Sequence, residues 1–160
     1  MKVQSPVATR SEMTKGGLLY HFPTKDAMLL ALHERLAQTW SDELGAALGS
    51  APEDASSIER VRAYAKVSAR SATGPELRLM LEATASPELD RPWKDVIARW
   101  LPDPSTLNPA DPDVLDVLIA RFAADGLWMA DSLNAAPLSP QLRTAIADRI
   151  ADTLRVGAGS

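Results

Sequence analysis

Leu29, Leu32, Leu36, Trp40, Leu44 and Leu48 follow one another at steps of three and four residues. That spacing puts all six on one side of a helix. It cannot be drawn as a strand, whose side chains change face at every residue. Similar spacing runs through the rest of the chain, and no alternating stretch or strand–helix–strand rhythm interrupts it, so the expected fold class is all-α. The first long helix starts behind Thr24, a good N-cap, and stops near Gly49. Ile58, Val61, Ala65 and Ser68 mark a second helix, ending by Gly74. Pro75 suits the first position of a third, through Leu77, Met80, Leu81 and Thr84. A fourth carries Trp93, Val96, Ile97, Trp100 and Leu101. The prolines of residues 102–112 form a connector. A long helix is then expected from Asp113 to about Asn134, with Val114, Leu118, Phe122, Asp125 and Met129 along one side. Leu115, Ile119, Gly126 and Leu133 lie on adjacent rows. Leu142, Ile146, Ile150 and Leu154 mark the last helix. The last two helices are apolar on more than one face, which suits a subunit partner.

With 160 residues, the chain is long enough for one sizeable core. It has no cysteine, which excludes disulfides, thiolate metal sites and cysteine nucleophiles and suits a cytoplasmic location. Two histidines, His21 and His33, are too few for a metal cluster, so no metal or other cofactor is expected. No apolar run approaches the length of a membrane span, and Met1-Lys2 is followed by Val-Gln-Ser-Pro rather than an apolar leader. Charge is unevenly placed. Residues 1–25 carry Lys2, Arg10, Lys15 and Lys25 against Glu12, a net of +3, within a chain of net −4. A basic start on an acidic body fits an anion-binding head on a separate module.

The head itself reads as a helix-turn-helix. Residues 8–11 end a first helix, Glu12-Met13 make the turn, and Thr14 caps a short second helix through Tyr20 or His21. A helix of this kind enters the major groove with its N-terminal residues near base edges. Gly16 and Gly17 leave room for close backbone approach, and Lys15 reaches a phosphate or a guanine edge. Tyr20 and His21 offer polar tips, while Leu19 and Phe22 plug the core beneath. Pro23 stops the helix, and Lys25 at the start of the next one favours a phosphate.

The stretch "MTKGGLLYHFPTKDAML", residues 13–29, resembles the recognition helix and the start of the fourth helix in the TetR family of bacterial transcriptional repressors. Tyr20, Phe22, Lys25, Asp26 and Leu29 match the family pattern. "ADGLWMADSL", residues 124–133, also resembles the helix that forms the dimer face in many members. The resemblance implies a TetR-like fold: an incomplete helix-turn-helix head over residues 1–36, then a helical ligand-binding and dimerisation domain over residues 37–156. It implies a homodimer that holds operator DNA and releases it when a small-molecule effector binds. By this carry-over Thr14, Lys15, Gly16, Tyr20 and His21 face DNA, Lys25 holds a phosphate, and Phe22 is structural. Family members place a full helix and most of a second before this motif. Here thirteen residues precede Thr14, Ser5-Pro6 interrupts them, and Glu12 stands where glycine is common. A loosely held head lacking its first helix is therefore expected.

In the body, Trp93, Trp100, Phe122 and Trp128, with Leu77 and Met80, either pack as core or line the pocket that the resemblance places between the middle helices. An apolar, aromatic lining favours a hydrophobic or planar cationic effector. Asp125 reads equally as a buried acceptor, a ligand contact or an interface group. His33, beside Leu29, Leu32 and Leu36, reads as a solvated or interface histidine. No carboxylate pair, phosphate-cradling glycine loop or zinc spacing supports catalysis, so no enzyme activity and no catalytic residue are expected. The expected function is a ligand-responsive repressor. The alternative is a truncated dimerisation and ligand-binding module without DNA-binding activity.

Overall fold

The computed structural model describes residues 22–70, 74–133 and 138–154, the side chain of Asp131 excepted. Within them are six α-helices and no strand: α1 (Lys25–Leu48), α2 (Ser57–Ser68), α3 (Gly74–Ala83), α4 (Pro87–Trp100), α5 (Pro112–Leu133) and α6 (Pro140–Thr153). Single turns of 3₁₀-helix, Pro52–Asp54 and Pro104–Thr106, sit in the α1–α2 and α4–α5 connections. Thr14, Lys15, Gly16, Tyr20 and His21 lie outside the described residues. The expected division between residues 36 and 37 falls inside α1, which runs through it unbroken.

Local chemistry sets the helix ends. Thr24 Oγ1 accepts the Ala27 amide at 3.0 Å, and Asp26 complements the positive end of the α1 dipole. α2 opens with a capping box. Ser56 Oγ accepts the Glu59 amide at 3.3 Å, and the Glu59 carboxylate accepts the Ser56 amide at 2.8 Å. Ser139 Oγ caps α6 by accepting the Leu142 amide at 3.2 Å. α1 stops at Gly49, whose amide donates to the Gly45 carbonyl at 2.9 Å from a left-handed φ of 79°. Nothing lies within 4 Å of a Cβ added there, so a Gly49→Ala change meets only the backbone penalty. A loss of about 1 kcal/mol is expected, read as a fall of about 2–4 °C in Tm.

α2 is the central helix. Val61, Ala63, Tyr64, Ala65, Val67 and Ser68 are all buried, and α1, α5 and α6 pack around it. Alanines at 65, 120, 124 and 151 in the main core let α2, α5 and α6 approach closely. Leu44, Trp100, Leu101, Val117 and Leu154 fill the remaining space. α4 packs along α1, with its end, Trp100 and Leu101, in the main core, and is joined to α1 by two indole hydrogen bonds. Trp93 Nε1 donates to His33 Nδ1 and Trp100 Nε1 donates to Ser41 Oγ, both at 3.0 Å. The two bonds advance together along both helices, so α1 and α4 run in the same direction.

α5 is apolar on more than one face, and the structure selects the one that is buried. Its buried residues are Val117, Ala120, Ala124 and Leu127, whereas Leu115, Ile119, Phe122, Met129 and Leu133 are exposed. The small alanines provide the inward face because α2 lies close against them. The larger apolar residues are left outside. Leu81 of α3 and Leu142 of α6 are likewise exposed.

Candidate functional site

An apolar cavity opens between α1, α3, α4 and α5. α1 supplies Leu36, Thr39, Trp40 and Glu43, α3 supplies Glu76 and Met80, α4 supplies Trp93, and α5 supplies Trp128. On α1 these positions are three and four apart, so one strip of the helix faces the cavity. The free space is about 70 Å³, room for a few waters and less than the roughly 150 Å³ that admits benzene in an apolar protein cavity. The Trp40 and Trp93 rings stand 6.4 Å apart at 56° and form adjoining walls. Trp128 Nε1 is buried without a hydrogen-bond partner among the described residues. An unpaired buried donor is costly and rare.

Two connections lead outward from the cavity wall. The first runs from Trp93 to His33, whose rings meet edge to face at 6.2 Å and 82°. His33 is 1 % exposed, which corrects its reading as a solvated or interface residue. Its partner lies 60 residues away in the chain. Burial holds the His33 pKa below its ordinary value of 6.5, opposed by the Glu82 carboxylate. Because Nδ1 accepts from Trp93, the folded state favours neutral imidazole. The stability this confers is present above pH ~6.5 and is lost as pH falls from there through the lower folded pKa. Urea midpoints measured from pH 8 to pH 5 should therefore fall more steeply for the native chain than for His33→Asn, whose amide oxygen retains an acceptor but does not titrate. Parallel curves would refute this.

The second connection runs from Trp40 to Tyr64, edge to face with ring centroids 5.5 Å apart, and from Tyr64 to α5 through its hydroxyl, which donates to Asp125. Burial and the Asp125 carboxylate push the Tyr64 pKa well up. Burial likewise raises Asp125, against the Tyr64 hydrogen bond and the Arg121 charge. The Arg121–Asp125 pair is wide, at 3.9 Å. α2 and α5 are thus tied by a polar contact beside the aromatic wall.

Of the residues named from sequence, Met80, Trp93 and Trp128 meet at the cavity. Leu77 is buried on α3 but is not among the lining residues. Trp100 is 2 % exposed in the main core and lies away from the cavity because Ser41 holds its indole. Asp125 serves as the acceptor for Tyr64. Phe122 is 58 % exposed, with the Arg121 guanidinium 5.9 Å from its ring centre. It points out because Ala120 and Ala124 occupy the buried side of α5. Lys25 is exposed in the first turn of α1, and Phe22 is half-buried. The sequence reading missed Leu36, Thr39, Trp40, Glu43 and Glu76 as cavity residues. The available signal was Glu43, three residues beyond Trp40 on the same strip of α1.

The described residues form an all-helical body with an aromatic cavity between its middle helices. Residues 59–155, more than half of the chain, match the family described as "Tetracyclin repressor-like, C-terminal domain". The chain belongs to the TetR family, and the matched segment, α2 to the end of α6, is the regulatory domain of a TetR-type regulator. A comparison with curated proteins gives no match. No helix among the described residues is long and apolar enough to cross a membrane.

Proposed function

We propose that this protein is a ligand-responsive transcriptional repressor that binds operator DNA as a homodimer, with the cavity of α1, α3, α4 and α5 as its effector site. The observation that carries the reading is the tie between the cavity and α1, the helix that follows the head motif in the sequence. Trp93 both lines the cavity and donates to His33 on α1. The head motif leads directly into α1. A ligand that displaces the Trp93 indole changes how α4 seats on α1, and α1 carries that change toward Lys25 and the residues before it. By family resemblance, Thr14, Lys15, Gly16, Tyr20 and His21 face the bases and Lys25 a phosphate.

The subunit interface in this reading is the outer face of α5. Leu115, Ile119, Phe122, Met129 and Leu133 are exposed on it at three- and four-residue steps around Gly126, with Leu142 of α6 also exposed. Soluble monomers rarely leave a continuous apolar seam of this kind uncovered. The experiment is a fluorescence-anisotropy titration of the full chain against DNA from upstream of its own gene, at several salt concentrations, alongside sedimentation. A dimer whose DNA affinity falls steeply with salt supports the reading. A dimer with no salt-sensitive DNA affinity leaves the dimerisation and ligand-binding module in its place.

A further inference from the structure

We propose that His33 makes the cavity wall acid-sensitive: a proton taken up by its imidazole frees Trp93, so that protons act as a second input to α1 beside the effector. The proposal rests on the effector reading of the cavity only for its consequence at DNA. His33 is a positioning residue for the wall. Its Nδ1 accepts from Trp93 Nε1 at 3.0 Å, which places the ring proton of the neutral imidazole on Nε2. Protonation adds an N–H at Nδ1, and two donors then face each other at hydrogen-bond distance. The bond is lost outright. His33 is 1 % exposed, so water has little access to replace the lost acceptor, and the indole N–H is left buried and unsatisfied. Rotation of the indole relieves that state. The same indole meets Trp40 at 6.4 Å, and both rings line the cavity, so the wall changes when Trp93 turns.

The two bonds between α1 and α4 differ in this respect. Trp100 donates to the Ser41 hydroxyl, which does not titrate between pH 5 and pH 8. Acid therefore loosens α4 at Trp93 and leaves its other end seated in the main core. His33 lies about two turns from the start of α1 at Lys25 and precedes the cavity strip that begins at Leu36. The loosened bond is thus on the side of the cavity nearer the head motif. The charged groups on the surrounding elements are Glu82 on α3, Glu34 and Arg35 beside His33 on α1, and Asp90, Arg91, Lys94 and Asp95 flanking Trp93 on α4. Asp90 is paired with Lys94 at 2.6 Å, and Glu82 is the carboxylate that opposes the effect of burial on His33. The sign of the linkage follows. The Trp93 bond favours neutral imidazole, so any ligand that displaces Trp93 makes His33 easier to protonate, and by reciprocity binds more tightly as pH falls below about 6.5.

The test is an NMR titration of the full chain with protons as the ligand, from pH 8 down to pH 5, over the range in which helical circular dichroism is constant. It follows the His33 ring, told apart from His21 by a His21→Asn variant, and the indole protons of Trp40, Trp93 and Trp100. The Trp93 and Trp40 signals should move with the His33 midpoint, while Trp100, held by Ser41, should not. Trp93→Phe keeps a ring in the wall but removes the donor, and should raise the His33 midpoint. Glu82→Gln should lower it. In His33→Asn the pH response of Trp93 and Trp40 should disappear. A His33 midpoint unmoved by Trp93→Phe overturns the proposal, and so does a Trp40 signal that fails to follow His33. Both readings come from variants other than His33→Asn, so they hold even if that one folds poorly. DNA affinity should fall roughly fivefold or more over the same range in the native chain relative to His33→Asn. If the ring signals respond as expected and DNA affinity does not, the acid-sensitive wall stands and the effector reading of the cavity falls.

Discussion

In the proposed homodimer, Gly126→Leu should convert the dimer to a monomer while leaving the subunit as stable as before or more so. Gly126 lies midway along the exposed α5 seam, and within the subunit nothing stands within 4 Å of a Cβ added to it. The site is exposed, so the rest of a leucine side chain can turn toward solvent within the subunit, and replacing a helical glycine relieves up to about 1 kcal/mol of backbone cost. A partner helix crossing at this point meets a new side chain from each subunit, because a two-fold interface repeats every change. The paired variant Phe122→Glu approaches the same face from its chemistry. Phe122 is 58 % exposed, so a glutamate is tolerated in the monomer. In the dimer, each copy loses an apolar contact worth roughly 1.5–3 kcal/mol and buries a charge. Together the two copies weaken association by at least about 100-fold. Sedimentation equilibrium reads the change. A dimer of unaltered affinity in both variants places the subunit contact elsewhere.

Trp100→Ala should be among the most destabilising single changes in the body. The side chain is 2 % exposed, sits in the main core with Leu44 and Leu101, and donates to Ser41 from its indole nitrogen. Truncation of a buried aromatic to alanine costs about 3–5 kcal/mol through lost contacts and an unfilled cavity. For a domain whose whole stability is of order 5–15 kcal/mol, this lowers Tm by about 10 °C or more. Trp100→Phe keeps most of the volume but removes the donor, and should cost about 1–2 kcal/mol. Thermal denaturation followed by circular dichroism distinguishes the two. The contrast with Trp128 is diagnostic. A change at Trp128 should lower Tm less, since among the described residues its indole nitrogen has no hydrogen-bond partner to lose.

These two tryptophans show where sequence reading reaches its limit. Trp93, Trp100 and Trp128 look alike in a helical pattern, as bulky apolar residues on amphipathic helices. Their roles separate through partners far along the chain. Ser41, 59 residues away, holds Trp100 in the core. His33, 60 residues away, fixes Trp93 in the cavity wall. No residue comes close enough to pair with Trp128 Nε1 among those described. Trp40, read only as one position in the apolar repeat of α1, joins the cavity to Tyr64.

The local signals behaved differently because their physics is local. Thr24, Gly49 and Pro87 mark helix ends through contacts within three or four residues or through their own backbone, so α1 to α6 could be drawn before any tertiary contact was known. What the sequence by itself determined is the all-helical body, its helix boundaries to within a few residues, and the family motif that leads into α1. Only the tertiary structure decided which face of α5 is buried, that His33 is an acceptor in the interior, and which aromatic residues meet around the cavity. Apolar periodicity records that a helix has a face to bury. When a helix is apolar on several faces, as α5 is, the choice among them depends on the shape and polarity of its neighbours. Those neighbours are set by packing between segments tens of residues apart.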